Sequence, residues 1–172
     1  MLELDAVFVA DEQSDVELDL LRWGRLARLV LREERVAADA EMSVIFVDEQ
    51  AISDLNERFL GGAGPTDVLS FPMDDDVVHG GRQPDQGGRG PGAPSGPTDP
   101  PSVLGDVVVC PQVASRQALE HRCALDDELA LLVVHGVLHL LNYDHAAEQE
   151  SEVMKRRERE LVARFHELER GG

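Results

Sequence analysis

The window His135-Gly136-Val137-Leu138-His139-Leu140-Leu141-Asn142-Tyr143-Asp144-His145 constrains this chain more than any other stretch, and it holds three of the six histidines. Residues 129–134, just before it, are all apolar, so the window opens inside a helix that must be buried. Residues four apart stack on one helix face, so His135 and His139 aim their rings at one point. Asn142 tolerates positive φ better than most non-glycine residues and predicts the end of that helix. A turn there folds His145 back toward the other two. Three neutral imidazoles, with no cysteine at a closing spacing, describe an open tetrahedral site of the catalytic zinc type. A lone histidine on an apolar helix is ordinarily a satisfied core residue; three at these spacings are not.

The spacing matches the long zinc-peptidase pattern H-E-x-x-H-x-x-G-x-x-H. The chemistry does not, because Gly136 stands where a peptidase carries the glutamate that acts as general base on the metal's water. Asn142 replaces the turn glycine, a gentler change. The ligand set survives and the base is gone, which argues against peptide hydrolysis.

Two further blocks accompany the histidine window: Gly64-Pro65-Thr66-Asp67-Val68-Leu69-Ser70-Phe71-Pro72 and Leu104-Gly105-Asp106-Val107-Val108-Val109-Cys110-Pro111. With these residues in view, the chain resembles the bacterial YbeY-type metalloproteins, single-strand-specific endoribonucleases that mature ribosomal RNA. Their signature H-G-x-L-H-L-x-G-[YH]-D-H is met at every fixed position except Asn142. The other blocks resemble the family's P-T-D-V-L-S-F-P and L-G-D-[IL]-x-[IL]-C segments, in the same order. One departure stands out: the family's N-x-x-[FY]-R stretch reads Asn56-Glu57-Arg58-Phe59-Leu60 here, with Leu60 at the arginine position. Arg58 is the nearby candidate to replace it, although two residues along a helix rotate a side chain by about 200°.

The resemblance implies a metal-dependent endoribonuclease acting at the small-subunit ribosomal RNA 3′ end and in ribosome quality control. It implies single-stranded or ribosomal RNA, the small ribosomal subunit and assembly factors as partners, in the cytoplasm. His135, His139 and His145 then hold one Zn²⁺ per chain, which acts as a Lewis acid on a phosphoryl oxygen. The attacking oxygen, from water or from the RNA's own 2′-hydroxyl, stays open. A recessed metal favours single strands, whose bases can splay from the stack. The rival from another class is an assembly factor that binds RNA or protein and cuts weakly or not at all; Leu60 and the charge favour it. A purely structural zinc site needs a fourth protein ligand.

The charge is the strongest counterweight to RNA handling. Sixteen basic residues face 34 acidic ones, a formal net charge of −18, whereas phosphate binding rests on clustered Lys and Arg. A local exception lies on the first predicted helix, where Arg22, Arg25, Arg28, Arg32 and Arg35 fall within one arc at 100° per residue. Such a stripe is a solvated face or an RNA contact. The last predicted helix mixes its cations with glutamates and reads as salt-bridged. Cys110 and Cys123 have no spacing motif and read as buried thiols in a reducing compartment. No secretory signal or membrane-spanning apolar run is evident.

Along the chain, residues 4–9 predict a strand, 16–35 an amphipathic helix, 43–47 a strand, and 49 to about 59 a helix capped by Asp48. Strands follow at 66–71 and 103–110, then helices from Pro111 to about Glu120, at 126–141 and at 148–169. Residues 80–101 hold seven of the fifteen glycines and six of the nine prolines. That segment predicts a disordered insertion within one domain spanning 1–172, and His79 beside it a solvated histidine. The interleaving predicts an α+β fold: a small mixed four-stranded sheet packed on helices, one of which carries the histidines.

Overall fold

The computed structural model describes residues 1–73, 102–143 and 148–171. The expected insertion therefore lies outside the described residues, as do His79, Asp144 and His145.

The sheet has five strands rather than four. β1 (Leu2–Leu4) and β2 (Val7–Glu12) replace the single predicted first strand. The break falls at Asp5, whose φ of 53° is a turn conformation that aspartate tolerates. β3 (Glu41–Val47), β4 (Val68–Pro72) and β5 (Val103–Val109) complete it, in the order β1-β2-β3-β5-β4. The three central strands run parallel and both edge strands antiparallel to their neighbours. At the start of β5 the register skips Leu104: Glu41 pairs with Val103 and Met42 with Gly105. Gly105 takes up this bulge at φ 135°, and a Cβ there would collide with the carbonyl of Phe71.

Five helices are described. They are α1 (Leu20–Glu33), α2 (Glu49–Leu60), α3 (Pro111–His121), α4 (Leu125–Leu140) and α5 (Glu148–Arg170). α1 starts four residues later than predicted, at Leu20, capped by Asp19, whose carboxylate accepts from the Arg22 amide at 3.2 Å. Val16 is held instead by Gln13, whose side-chain amide donates to the Val16 carbonyl and accepts from the Val16 amide. Asp48 caps α2 as expected, accepting from Ala51 at 2.8 Å.

Side chains alternate across the sheet and so build two cores. Val44 and Phe46 of β3 and Val107 and Val109 of β5 pack with Leu26 and Val30 of α1, Leu129, Val133 and Val137 of α4, and Leu161 of α5. Val47 and Val108 point the other way, onto Ile52 of α2, with Leu69 and buried Cys110. α4 is the hub, lying on β4 and β5 and against α1, α3 and α5. It is apolar nearly all round, as a helix enclosed on every side must be. Among the described residues, no helix is long and apolar enough to cross a membrane.

Candidate metal centre

Asn142 ends α4 as the sequence predicts, at φ 71°. The Tyr143 amide donates to the Leu138 carbonyl at 3.0 Å and the Asn142 amide to the His139 carbonyl at 3.1 Å. This paired closure satisfies carbonyls that the last turn leaves open, and it turns the chain sharply. Tyr143 then fastens the exit: its hydroxyl donates to Glu34 at 2.7 Å, and Arg157 of α5 donates to the other oxygen of the same carboxylate at 2.5 Å. Burial first, then the hydrogen bond to Glu34, pushes the Tyr143 phenol up to about 12, so it stays a donor at neutral pH.

His135 and His139 stand one turn apart on α4 with their Nε2 atoms 3.0 Å from each other. Their rings are 4.5 Å apart between centroids and inclined by 71°, so the nitrogens converge and the planes do not stack. Tetrahedral zinc with bonds of about 2.0 to 2.1 Å sets neighbouring donor nitrogens roughly 3.3 Å apart. The pair fits that requirement. The negative end of the α4 dipole also favours a cation near its last turn.

The opposite nitrogen of His135, Nδ1, is bonded to Oε1 of Glu158 on α5. Glu158 is only 7 % exposed. A carboxylate behind a ligating imidazole fixes its tautomer and turns its other nitrogen toward the metal. Sequence reasoning misses this residue, because the charges of α5 read as a salt-bridged face. A signal is nevertheless present: Met154, Glu158, Leu161 and Phe165, spaced four, three and four, are the buried positions of α5. A carboxylate interrupting an apolar stripe needs a buried partner.

Gly136, between the two histidines, has a structural cause. A Cβ at this position would overlap Val107 Cγ1 of β5 and press on Val68 Cγ2 of β4 at 3.3 Å. Its carbonyl accepts from Ser70 Oγ of β4 at 2.9 Å. The three sequence blocks therefore meet at one point, Val68 and Ser70 from the first, Val107 from the second and Gly136 from the third. Position 136 faces the sheet, and a glutamate placed there would disrupt the packing against Val107 and Val68.

The other candidates are placed differently. Arg58 is exposed on the last turn of α2, its guanidinium 5.6 Å from the Phe59 ring centroid. Phe59 in turn meets Phe71 of β4 edge-on at 5.6 Å. Leu60, at the arginine position of the family motif, is 59 % exposed. His145, the expected third ligand, is outside the described residues, and among those residues no group of three metal-ligating side chains assembles. Cys123 is exposed, contrary to the expectation of a buried thiol, because it follows the end of α3 in the loop before α4. Burial raises the Cys110 thiol above its ordinary range.

Comparison with known proteins places this geometry in context. A family model described as Endoribonuclease YbeY matches residues 8–166. The chain is 47 % identical over 158 residues to a curated Endoribonuclease YbeY of Thermobifida fusca, covering 92 % of each protein. It is 45 % identical over 153 residues to that of Beutenbergia cavernae, covering 89 % of this chain and 93 % of the relative. Among solved structures, the solution structure of TM1509 from Thermotoga maritima superposes with a TM-score of 0.60 at 24 % identity. That match spans 96 % of this chain and 92 % of the other, a likeness of fold.

Proposed function

The chain belongs to the YbeY endoribonuclease family, and from that premise we propose that it is a zinc-dependent endoribonuclease specific for single strands. Its substrate is ribosomal RNA, at the small-subunit 3′ end, and its setting is the cytoplasm, with the small subunit, assembly factors and ribosome quality control around it. The observation that carries this reading is the convergence of His135 Nε2 and His139 Nε2 at 3.0 Å with Glu158 behind His135.

In this reading His135, His139 and His145 hold one Zn²⁺. The ion supplies Lewis acidity toward a phosphoryl oxygen and lowers the pKa of water when bound. The chain's own residues do the rest. Glu158 accepts the Nδ1 proton of His135, leaving Nε2 as the donor atom. Tyr143, tied to Glu34, fixes where the chain leaves α4 immediately before Asp144 and His145. Ser70 and Val107 hold α4 against the sheet at Gly136, between the two histidines.

A second reading keeps the site and weakens the cutting: an assembly factor that binds RNA and cleaves poorly. Exposed Leu60 at the family's arginine position favours it, since a cation that engages phosphate is replaced by an apolar side chain. One experiment separates the two. Zinc-loaded protein is incubated in excess over a labelled single-stranded ribosomal RNA 3′ segment and over its duplex. Single-turnover cleavage of the single strand alone supports the enzyme. Tight binding without cleavage supports the assembly factor, and neither binding nor cleavage sinks both.

A further inference from the structure

The arginine stripe of α1 takes no part in the candidate metal centre, and the structure divides it. Arg22 is engaged, 2.9 Å from Glu169 and 3.7 Å from Asp126, with its guanidinium over the rings of Trp23 and Phe165. Arg28 reaches Asp5 at 2.7 Å. Arg25 and Arg32 are exposed, and among the described residues their guanidinium groups make no hydrogen bond or ion pair. With Arg28 they line a groove of about 560 Å³ between β1, α1 and the end of α5. Arg28 and Arg32 also border a smaller cleft of about 190 Å³ that continues past the end of α1.

We infer that this groove binds a stretch of single-stranded RNA outside the cleavage site, with Arg25 and Arg32 on its phosphates. Charge complementarity carries the choice of occupant. In a chain with 34 acidic and 16 basic residues, two uncommitted cations stand beside a groove whose lining carboxylate, Glu169, is already neutralised by Arg22. Half-buried Leu4 and exposed Leu168 give the same groove apolar surface that bases or riboses can cover. Arg25, Arg28 and Arg32 are about 4.5 and 6 Å apart along the helix axis, which suits contact with successive phosphates.

The direction of the groove adds to this. α1 and α4 run parallel, since Arg22 meets Asp126 at their N-terminal ends and Glu34 meets Tyr143 at their C-terminal ends. A strand lying from Arg25 to Arg32 thus heads toward the end of α4 that bears His135 and His139. The local cations also offset the long-range repulsion that a charge of −18 exerts on RNA.

The inference rests on the proposed ribonuclease reading, and the test keeps their failures apart. Wild type and the Arg25→Ala/Arg32→Ala double variant, matched in zinc content and thermal midpoint, are compared on a long single-stranded RNA and on an oligomer that fills only the cleavage site. Loss of two phosphate contacts should reduce the slope of log K against log salt by about 1.4 and weaken long-RNA binding on the order of tenfold at low salt. The KM for the long substrate should rise while kcat on the short oligomer holds. Arg25→Lys/Arg32→Lys should keep most of the salt slope. The inference is overturned if wild type binds and cuts RNA and the Ala variant matches it in affinity and slope. Equal losses on both substrates overturn it too, as does displacement of the long RNA from wild type, but not the Ala variant, by an acidic peptide at lower concentration. If wild type neither binds nor cuts RNA, the ribonuclease reading itself has failed.

Discussion

The two ends of α4 each pair a histidine with a buried glutamate. At the C-terminal half, Glu158 of α5, 7 % exposed, takes His135 Nδ1. At the N-terminal end, Glu128, 4 % exposed, takes His121 Nδ1 at 2.9 Å, and Cys123 Sγ also points at Oε2 of this carboxylate, at 3.5 Å. What differs is where the second nitrogen goes. His135 turns its Nε2 onto another imidazole one helical turn away. Among the described residues His121 meets no second imidazole: its side chain is 57 % exposed at the end of α3, and its ring and the Cys123 thiol share one carboxylate oxygen. A carboxylate behind a histidine orients the ring, but a metal needs donor atoms that converge. The i, i+4 spacing on a rigid, enclosed helix provides that convergence; two donors on a loop and a helix end do not.

The largest effect expected from this contrast is on metal content. His139→Ala should reduce bound zinc from about one per chain to little or none, because the remaining imidazoles make a weak site. His121→Ala should leave it unchanged. Elemental analysis after desalting decides the matter. Zinc lost from the His121 variant would place the metal at the wrong end of α4, and zinc retained by the His139 variant would remove that residue from the ligand set.

Next in size is the effect of the orienting carboxylates. Glu158→Gln keeps an oxygen that can accept from Nδ1 but removes the charge, and should weaken zinc by about 10- to 100-fold. Glu128→Gln should leave zinc affinity unchanged. Competition against a chromophoric chelator reads both. Equal small changes in the two variants would mean that Glu158 is a packing feature, no different from its counterpart.

Much of this contrast is legible in the amino-acid sequence. The helical period and Asn142 locate α4 and its end, because backbone geometry there is set by local residues. Asp48 and Pro111 mark helix starts for the same reason. What the sequence hides is non-local. Glu158 acquires its meaning only when α5 packs antiparallel on α4, although its place in the stripe of Met154, Leu161 and Phe165 is a usable sign. Gly136 reads as a missing catalytic base and is a contact residue, a fact that depends on Val107 and Val68 from distant strands. The fifth strand escapes notice because a single turn residue, Asp5, splits an otherwise continuous pattern. The arginine stripe reads as uniform, yet two of its members are committed to carboxylates brought close by folding.

The smallest expected effect concerns protons at the His121 end of α4. The hydrogen bond to Glu128, and then its charge, hold the His121 imidazole above its ordinary range. A pKa raised in the folded state means that folding favours the protonated form. The resulting stabilisation is fully present below the unfolded pKa of about 6.5 and fades as pH rises through the folded value. His121 is exposed, so solvent screens the pair and the energetic contribution stays small. The measurable quantity is the titration itself, followed by the His121 ring resonances in NMR. Wild type should titrate above about 6.5, and Glu128→Gln should bring the midpoint back toward it. Adding zinc should leave the wild-type curve in place, because among the described residues no group of three metal-ligating side chains assembles there. A His121 midpoint driven down by stoichiometric zinc would mean that the metal competes for this imidazole, and the distinction between the two ends of α4 would fall.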